Sequence, residues 1–332
     1  MVEQAPNGLA HSSLYRGESR QRLPSPEDWL RAYARCKARY GGEMGERRLV
    51  FPDARDFPDP FTGDEESARQ LLARMQGHAG MDDIPISLRV VAGSVEASTS
   101  CSSGACATPS LPSSADLARV VDDGNGWALN IPSPELQHPV FLTTGLARSL
   151  ALIFMLETEQ AGDQGPDPFT LEIAAIQLGF GGLLLQGAHV YQKSCGGPRI
   201  DQFTAFNVHE VALLCTVMAL DSGSGLGRLP RLVEATQSAA LGEARQFLES
   251  RSRFLRLLAE DPARAAEDSF APEPAQGLWN KLKTRLQADK RTELPGTDHA
   301  WRKALQASVP NGPAESRKLP SQELRELVKS EL

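Results

Sequence analysis

Apolar residues concentrate in residues 138–191, and the rest of the chain is arranged around that stretch. It reads HPVFLTTGLARSLALIFMLE, then a polar break, then LEIAAIQLGFGGLLLQGAHVY. Leu142, Leu146, Leu150, Ile153 and Leu156 recur at helical spacing in a segment apolar on most of its surface, which predicts a buried central helix from Pro139 to Leu156 or Glu157. A break at 162–168 follows, and Asp167-Pro168 opens a second helix predicted from Phe169 to about Gln192. That helix carries Gly179, Gly181, Gly182 and Gly187. Glycine inside an exposed helix costs roughly 1 kcal/mol against alanine, and close helix-on-helix approach is the gain that accounts for four of them. Ser194-Cys195-Gly196-Gly197-Pro198 then reads as a turn joining two antiparallel core helices, the second predicted over 203–220. Another helical run is predicted over 229–254.

Upstream of the core, Ser25-Pro26-Glu27-Asp28 is a helix start, with proline in the first turn and acids at the positive end of the dipole. Trp29, Tyr33, Cys36 and Tyr40 form a core stripe, and Gly41-Gly42 is the expected stop. Residues 51–63 (FPDARDFPDPFTG) hold three prolines and are expected to be irregular, pinned by their phenylalanines. Asp64-Glu65-Glu66 opens a helix with Leu71, Leu72 and Met75 inward, ending at Gly77 or Gly80. The acids Asp53, Asp56, Asp59 and Asp64 lack calcium-loop spacing and read as a solvated turn.

Residues 84–95 alternate as a strand, and Asp123-Gly124-Asn125 between two short apolar runs is a hairpin signature. The middle of the chain (about 84–131) therefore predicts a small antiparallel sheet of about three strands. Ser-, Ala- and Pro-rich residues 98–114 hold Cys101 and Cys106, a spacing weak as a metal site and read as a loop. The expected fold is α+β and mainly helical: a small antiparallel sheet packed on a helical core (about 139–258). Residues 1–24 are expected to be flexible, 25–261 to form one core domain, and 262–332 to form a charged, partly disordered tail. Short tail helices are expected at 278–286 and 321–332.

Composition narrows the function classes. The chain has 332 residues, 41% of them hydrophobic, and a formal charge of −7. An acidic balance argues against a general nucleic-acid or anionic-membrane binder. The longest apolar run, 146–156, contains Arg148 and is short for a membrane span. No stretch near the start has the pattern of a secretion signal. Five cysteines suit a reducing compartment, so a cytoplasmic location is expected.

Two segments resemble an uncharacterised bacterial family of zincin-like (HExxH-type) presumed metallopeptidases. The first is FPDPFTGDEESARQLLARMQGHAGMDDIPISL, similar to that family's FPDPYxGxxE motif, helix and first strand. The second, residues 130–190, is similar in the order of strand, Pro139-to-Leu142 turn, helix and LGFG segment (Leu178-Gly179-Phe180-Gly181). The resemblance spans roughly 50–215 and implies a zincin-like layout. It also implies that HExxH would fall on Arg148-Ser149-Leu150-Ala151-Leu152, with Glu172 where a third ligand sits. HExxH needs two histidines one turn apart to hold zinc and a glutamate to activate water. Arg148, Ser149 and Leu152 supply none of these. The resemblance therefore implies a pseudoenzyme that has lost the metal, and it calls for no cofactor. An arginine in so apolar a helix needs water or a carboxylate. Glu172 is the expected partner of Arg148, and Glu157 the poorer one.

An alternative site gathers His189, Cys195, His209 and Glu210 around one predicted turn. His189, Cys195 and His209 offer a metal set, or a cysteine nucleophile with a histidine base; capping and packing roles compete with both. Gly179-Phe-Gly-Gly and Gly223-Ser-Gly-Leu-Gly fail as phosphate loops because neither follows a strand. The leading expectation is a non-catalytic protein that binds a protein or peptide partner. The alternatives are a hydrolase at His189/Cys195/His209 and a scaffold acting through its C-terminal tail.

Overall fold

The computed structural model describes residues 25–44, 47–92, 119–158, 166–194 and 197–273, all within one compact unit. The expectations for residues 1–24, the 98–114 insertion and the helices at 278–286 and 321–332 lie outside the described residues. The class is as expected, α+β and mainly helical.

Helix α1 (Pro26–Met44) starts where Ser25 and Asp28 exchange hydrogen bonds. It runs through Gly41-Gly42 to Met44, because Tyr40 and Met44 are both buried and hold its end to the core. Residues 47–63 follow without regular structure. Helix α2 (Glu65–Ala79) opens on a capping box between Asp64 and Ser67 and closes on Gly80 in the left-handed conformation. The acids of the proline-rich segment diverge to separate partners: Asp53 to Arg228, Asp56 to Arg48, Asp59 to Arg74, and Asp64 to the helix cap.

Strands β1 (Ile86–Val91), β2 (Val120–Asp122) and β3 (Trp127–Pro132) form one sheet in the order β1-β3-β2. The β2–β3 hairpin turns at the expected Asp123–Asn125, with Asp123 N–H donating to the Gly126 carbonyl. The sheet is mixed rather than wholly antiparallel, because β1 pairs with β3 in parallel, Leu88 opposite Leu129. The long connection between these strands permits the crossover that a parallel pair requires.

Helix α3 (Pro139–Glu157) is the predicted central helix, buried from Phe141 to Met155 except at Thr143. The second apolar helix is α4 (Pro168–Ala175), a π-turn (Ile176–Phe180) and α5 (Gly181–Gly187) in continuous sequence. Both Pro139–Glu157 and Pro168–Gly187 are long and apolar enough to cross a membrane, yet 78% and 83% of an apolar 18-residue stretch in each is buried inside this unit, as in core helices.

The glycines of the second helix do more than join helices. Gly181 faces Cys215 and Gly187 faces Thr144, which are helix-on-helix approaches. Gly179, at φ 104°, and Gly182 instead let the irregular segment 48–50 lie directly on the helix, where Val50 N–H donates to the Gly179 carbonyl at 2.9 Å.

The helix ends at Gly187, not at Gln192. Residues Val190–Ser194 and Gly197–Asp201 are strands β4 and β5 of an antiparallel hairpin. The turn expected between two helices therefore joins two strands. Tyr191 and Ile200 face each other across them and are exposed, a cross-strand pair rather than a buried helical face.

Helix α6 (Val208–Asp221) starts five residues later than 203, because Asn207 and Glu210 form its capping box. Helices α7 (Ala235–Glu249), α8 (Ser252–Glu260) and α9 (Pro262–Ala265) complete the described chain. The core boundary placed at 261 falls short. Ala265 and Phe270 are buried, Phe270 packs on Phe254, and Arg31 of α1 lies over its ring.

Candidate functional site

Arg148 sits at the middle of α3 and Glu172 in α4, and the structure brings them together as expected. Arg148 Nη1 donates to Glu172 Oε1 at 2.6 Å and also reaches the Phe203 carbonyl at 3.4 Å. Arg148 is 5% exposed and Glu172 0%, which makes this a buried pair and not a surface one. The backbone supplies two further donors that the sequence did not suggest. Ala205 N–H donates to Oε1 at 2.6 Å and Phe206 N–H to Oε2 at 3.1 Å. Both carboxylate oxygens are thus engaged, and the ion pair ties α3 and α4 to the loop that leads into α6.

This set does not fit zinc. Of the residues on which the resemblance would place HExxH, Arg148 is a guanidinium, and Ser149 and Leu152 are core residues at 0% and 1% exposure. A zinc site needs neutral or anionic ligands with free lone pairs. Here the one carboxylate is already held by a cation and two amides. The Ser149 hydroxyl is buried without a hydrogen-bond partner among the described residues, and nothing in the packing explains it. Glu157, the poorer partner, accepts instead from Trp127 Nε1 at 2.5 Å.

The alternative constellation disperses. His189 Nδ1 lies 3.7 Å from Glu234, at the start of α7, while His209 Nδ1 lies 3.3 Å from Glu243, nine residues further along the same helix. At 1.5 Å rise per residue the two imidazoles address points ~13 Å apart. Glu210 is a capping residue: it accepts from Asn207 N–H at 2.9 Å and from Trp29 Nε1 at 3.0 Å. Burial raises its carboxyl above the ordinary range, against the opposing pull of those donors. Cys195 lies outside the described residues. Among the described residues, no three His, Cys, Asp or Glu side chains are grouped so as to hold a metal. Cys36 and Cys215 are buried free thiols, each pushed up to about 12 chiefly by burial, and so are protonated and unreactive at neutral pH.

Two concave sites were not legible in the sequence. The first is a cleft of about 330 Å³ formed where the proline-rich segment meets the N-terminal turn of α3 and the end of α5. Phe57, Phe61, Leu71, Val140 and Leu183 make it predominantly apolar, and the Asp59–Arg74 ion pair at 2.8 Å stands at its rim. Elsewhere, Arg119 makes a two-pronged buried pair with Glu135, at 2.9 and 2.6 Å, with the guanidinium 5.7 Å from the Phe141 ring. That pair holds β2 and the Ser133–Gln137 turn against α3. The second site is a depression of about 410 Å³ around Arg48, Arg55 and Arg228.

No family model, no curated protein and no solved structure matches this chain.

Proposed function

We propose that the protein is a non-catalytic relative of the zincin-like metallopeptidases and works by binding a peptide segment of a partner protein. The observation that carries the binding half is the apolar cleft of about 330 Å³ between the FPDPF segment and α3. It lies at the lower end of the range of ligand pockets and has the usual make-up of such sites, apolar walls with a few charged groups at the edge. The occupant we assign is an apolar anchor side chain of an extended peptide.

The non-catalytic half is supported by the Arg148–Glu172 pair, in which the carboxylate is held by the guanidinium and by the amides of Ala205 and Phe206. A reducing, cytoplasmic setting accords with the free buried thiols of Cys36 and Cys215.

The test is selection of displayed random peptides against the folded protein, followed by fluorescence anisotropy with the enriched sequence. We expect enrichment of peptides with a large apolar residue. Leu71→Glu and Val140→Glu, each half-buried on the cleft wall, should weaken binding by about tenfold or more while the melting temperature stays close to wild type. Peptides that bind both variants as tightly as wild type would place the interaction elsewhere.

A further inference from the structure

We propose that the depression between residues 48–55 and the loop 223–227 is a binding site for the phosphoryl group of a small ligand. It is separate from the apolar cleft and does not rest on the peptide-binding reading. Three guanidiniums line it, Arg48 and Arg55 from the irregular segment and Arg228 from beyond α6.

Two of the three are held in place before any ligand arrives. Arg228 lies with Cζ 4.3 Å from the centre of the Phe51 ring and Nη1 2.9 Å from Asp53 Oδ2. Arg48 donates through Nη2 to Asp56 Oδ1 at 2.9 Å. Asp56 is itself buried and fixed by Phe51 N–H at 2.6 Å. Burial works to raise the Asp56 carboxyl, but the Arg48 guanidinium and the Phe51 N–H prevail and hold it below the ordinary range. Each of these contacts uses one nitrogen of a guanidinium that carries five N–H donors, so most of the donor capacity is left over. Arg55 is exposed and has no carboxylate partner among the described residues. Three guanidiniums against two carboxylates leave one positive charge here, in a chain whose formal charge is −7.

The opposite wall is built for approach to the backbone. Gly225, which lines it, has a φ of 67°, which favours glycine. Gly227 has no such backbone, and a Cβ there would meet nothing within 4 Å. Packing therefore does not require its glycine, and the absence of a side chain keeps the floor clear. A carboxylate is satisfied by one arginine fork, whereas a phosphoryl group offers oxygens in several directions and is matched by several forks. That geometry selects the phosphoryl group.

The experiment is a calorimetric titration of the full chain with inorganic pyrophosphate and, separately, O-phosphoserine in physiological salt. Binding of pyrophosphate alone identifies a free phosphate as the ligand, and binding of both identifies a phosphate ester as acceptable. In either case we expect saturation, and a loss of about tenfold or more in Arg55→Ala, the size of one charge-assisted hydrogen bond. Arg55 is exposed, so this variant should keep its melting temperature. Arg74→Ala, at the other cleft, should bind as wild type does. Arg228→Lys keeps the charge but loses the fork and the stacking on Phe51, and should also weaken binding. The proposal is overturned if neither probe saturates below ~10 mM, or if Arg55→Ala and wild type bind equally.

Discussion

Arg148→Ala is expected to destabilise the folded protein by about 3–5 kcal/mol, read by chemical denaturation. The reason is the asymmetry of buried ion pairs. Forming one gains little over an apolar pair, but removing one partner strands the other charge in a dry interior. Glu172 would lose its guanidinium, and the Ala205 and Phe206 amides do not neutralise its charge. Glu172→Ala should cost at least as much, because it strands the Arg148 cation and leaves those two amides without their acceptor. The double variant should lose less than the two single losses added together, by about 1–3 kcal/mol, since the groups share one network. A loss under ~1 kcal/mol for Arg148→Ala is the behaviour of a solvated pair, and it would show that the interior here opens to water.

Gly179→Ala is expected to cost about 2–6 kcal/mol. Two effects add. A φ of 104° is strained for any residue with a Cβ, by about 1–3 kcal/mol. The new Cβ would also sit 2.5 Å from the Arg48 carbonyl oxygen, which forces the 48–50 segment off the helix at an overpacking cost of about 1–3 kcal/mol. The Val50-to-Gly179 hydrogen bond would be disturbed with it. Gly242→Ala provides the contrast: it lies within α7, and its Cβ would meet nothing within 4 Å. Alanine there should be neutral or stabilising by up to about 1 kcal/mol. Equal stability of the two variants would mean that the π-turn does not depend on Gly179.

How far these features could be read from the residues depends on where the information sits. The ends of α2, the Asp123–Asn125 hairpin and the buried α3 are written locally, in caps, turn residues and apolar period. The Arg148–Glu172 pair was legible because a charge in an otherwise apolar helix demands a partner, and the layout implied by the resemblance put Glu172 beside that helix. The amides of Ala205 and Phe206 were not, because backbone donors carry no sequence signal. Residues 190–201 were misread as helix end and turn since the apolar run LLLQGAHVY continues past Gly187 without a break. The available cue was Gly187 as a stop, followed by Val190 and Tyr191, which favour strands. The parallel β1–β3 pairing depends on a crossover whose length alone does not fix its direction. The core's extension past 261 rests on Ala265, Ala266 and Phe270 in a charged, proline-broken segment. Both concave sites are assembled from residues more than a hundred positions apart, Arg48 with Arg228 and Phe61 with Leu183, and no spacing rule joins them.

The central claim is that Arg148 and Glu172 form a structural ion pair where the proposed zincin-like relationship would place a metal. Metal analysis of the full chain tests it most directly, after incubation with excess zinc and removal of unbound ions. The account predicts that no stoichiometric zinc is retained. One zinc held per chain, and lost on Glu172→Gln, would contradict it.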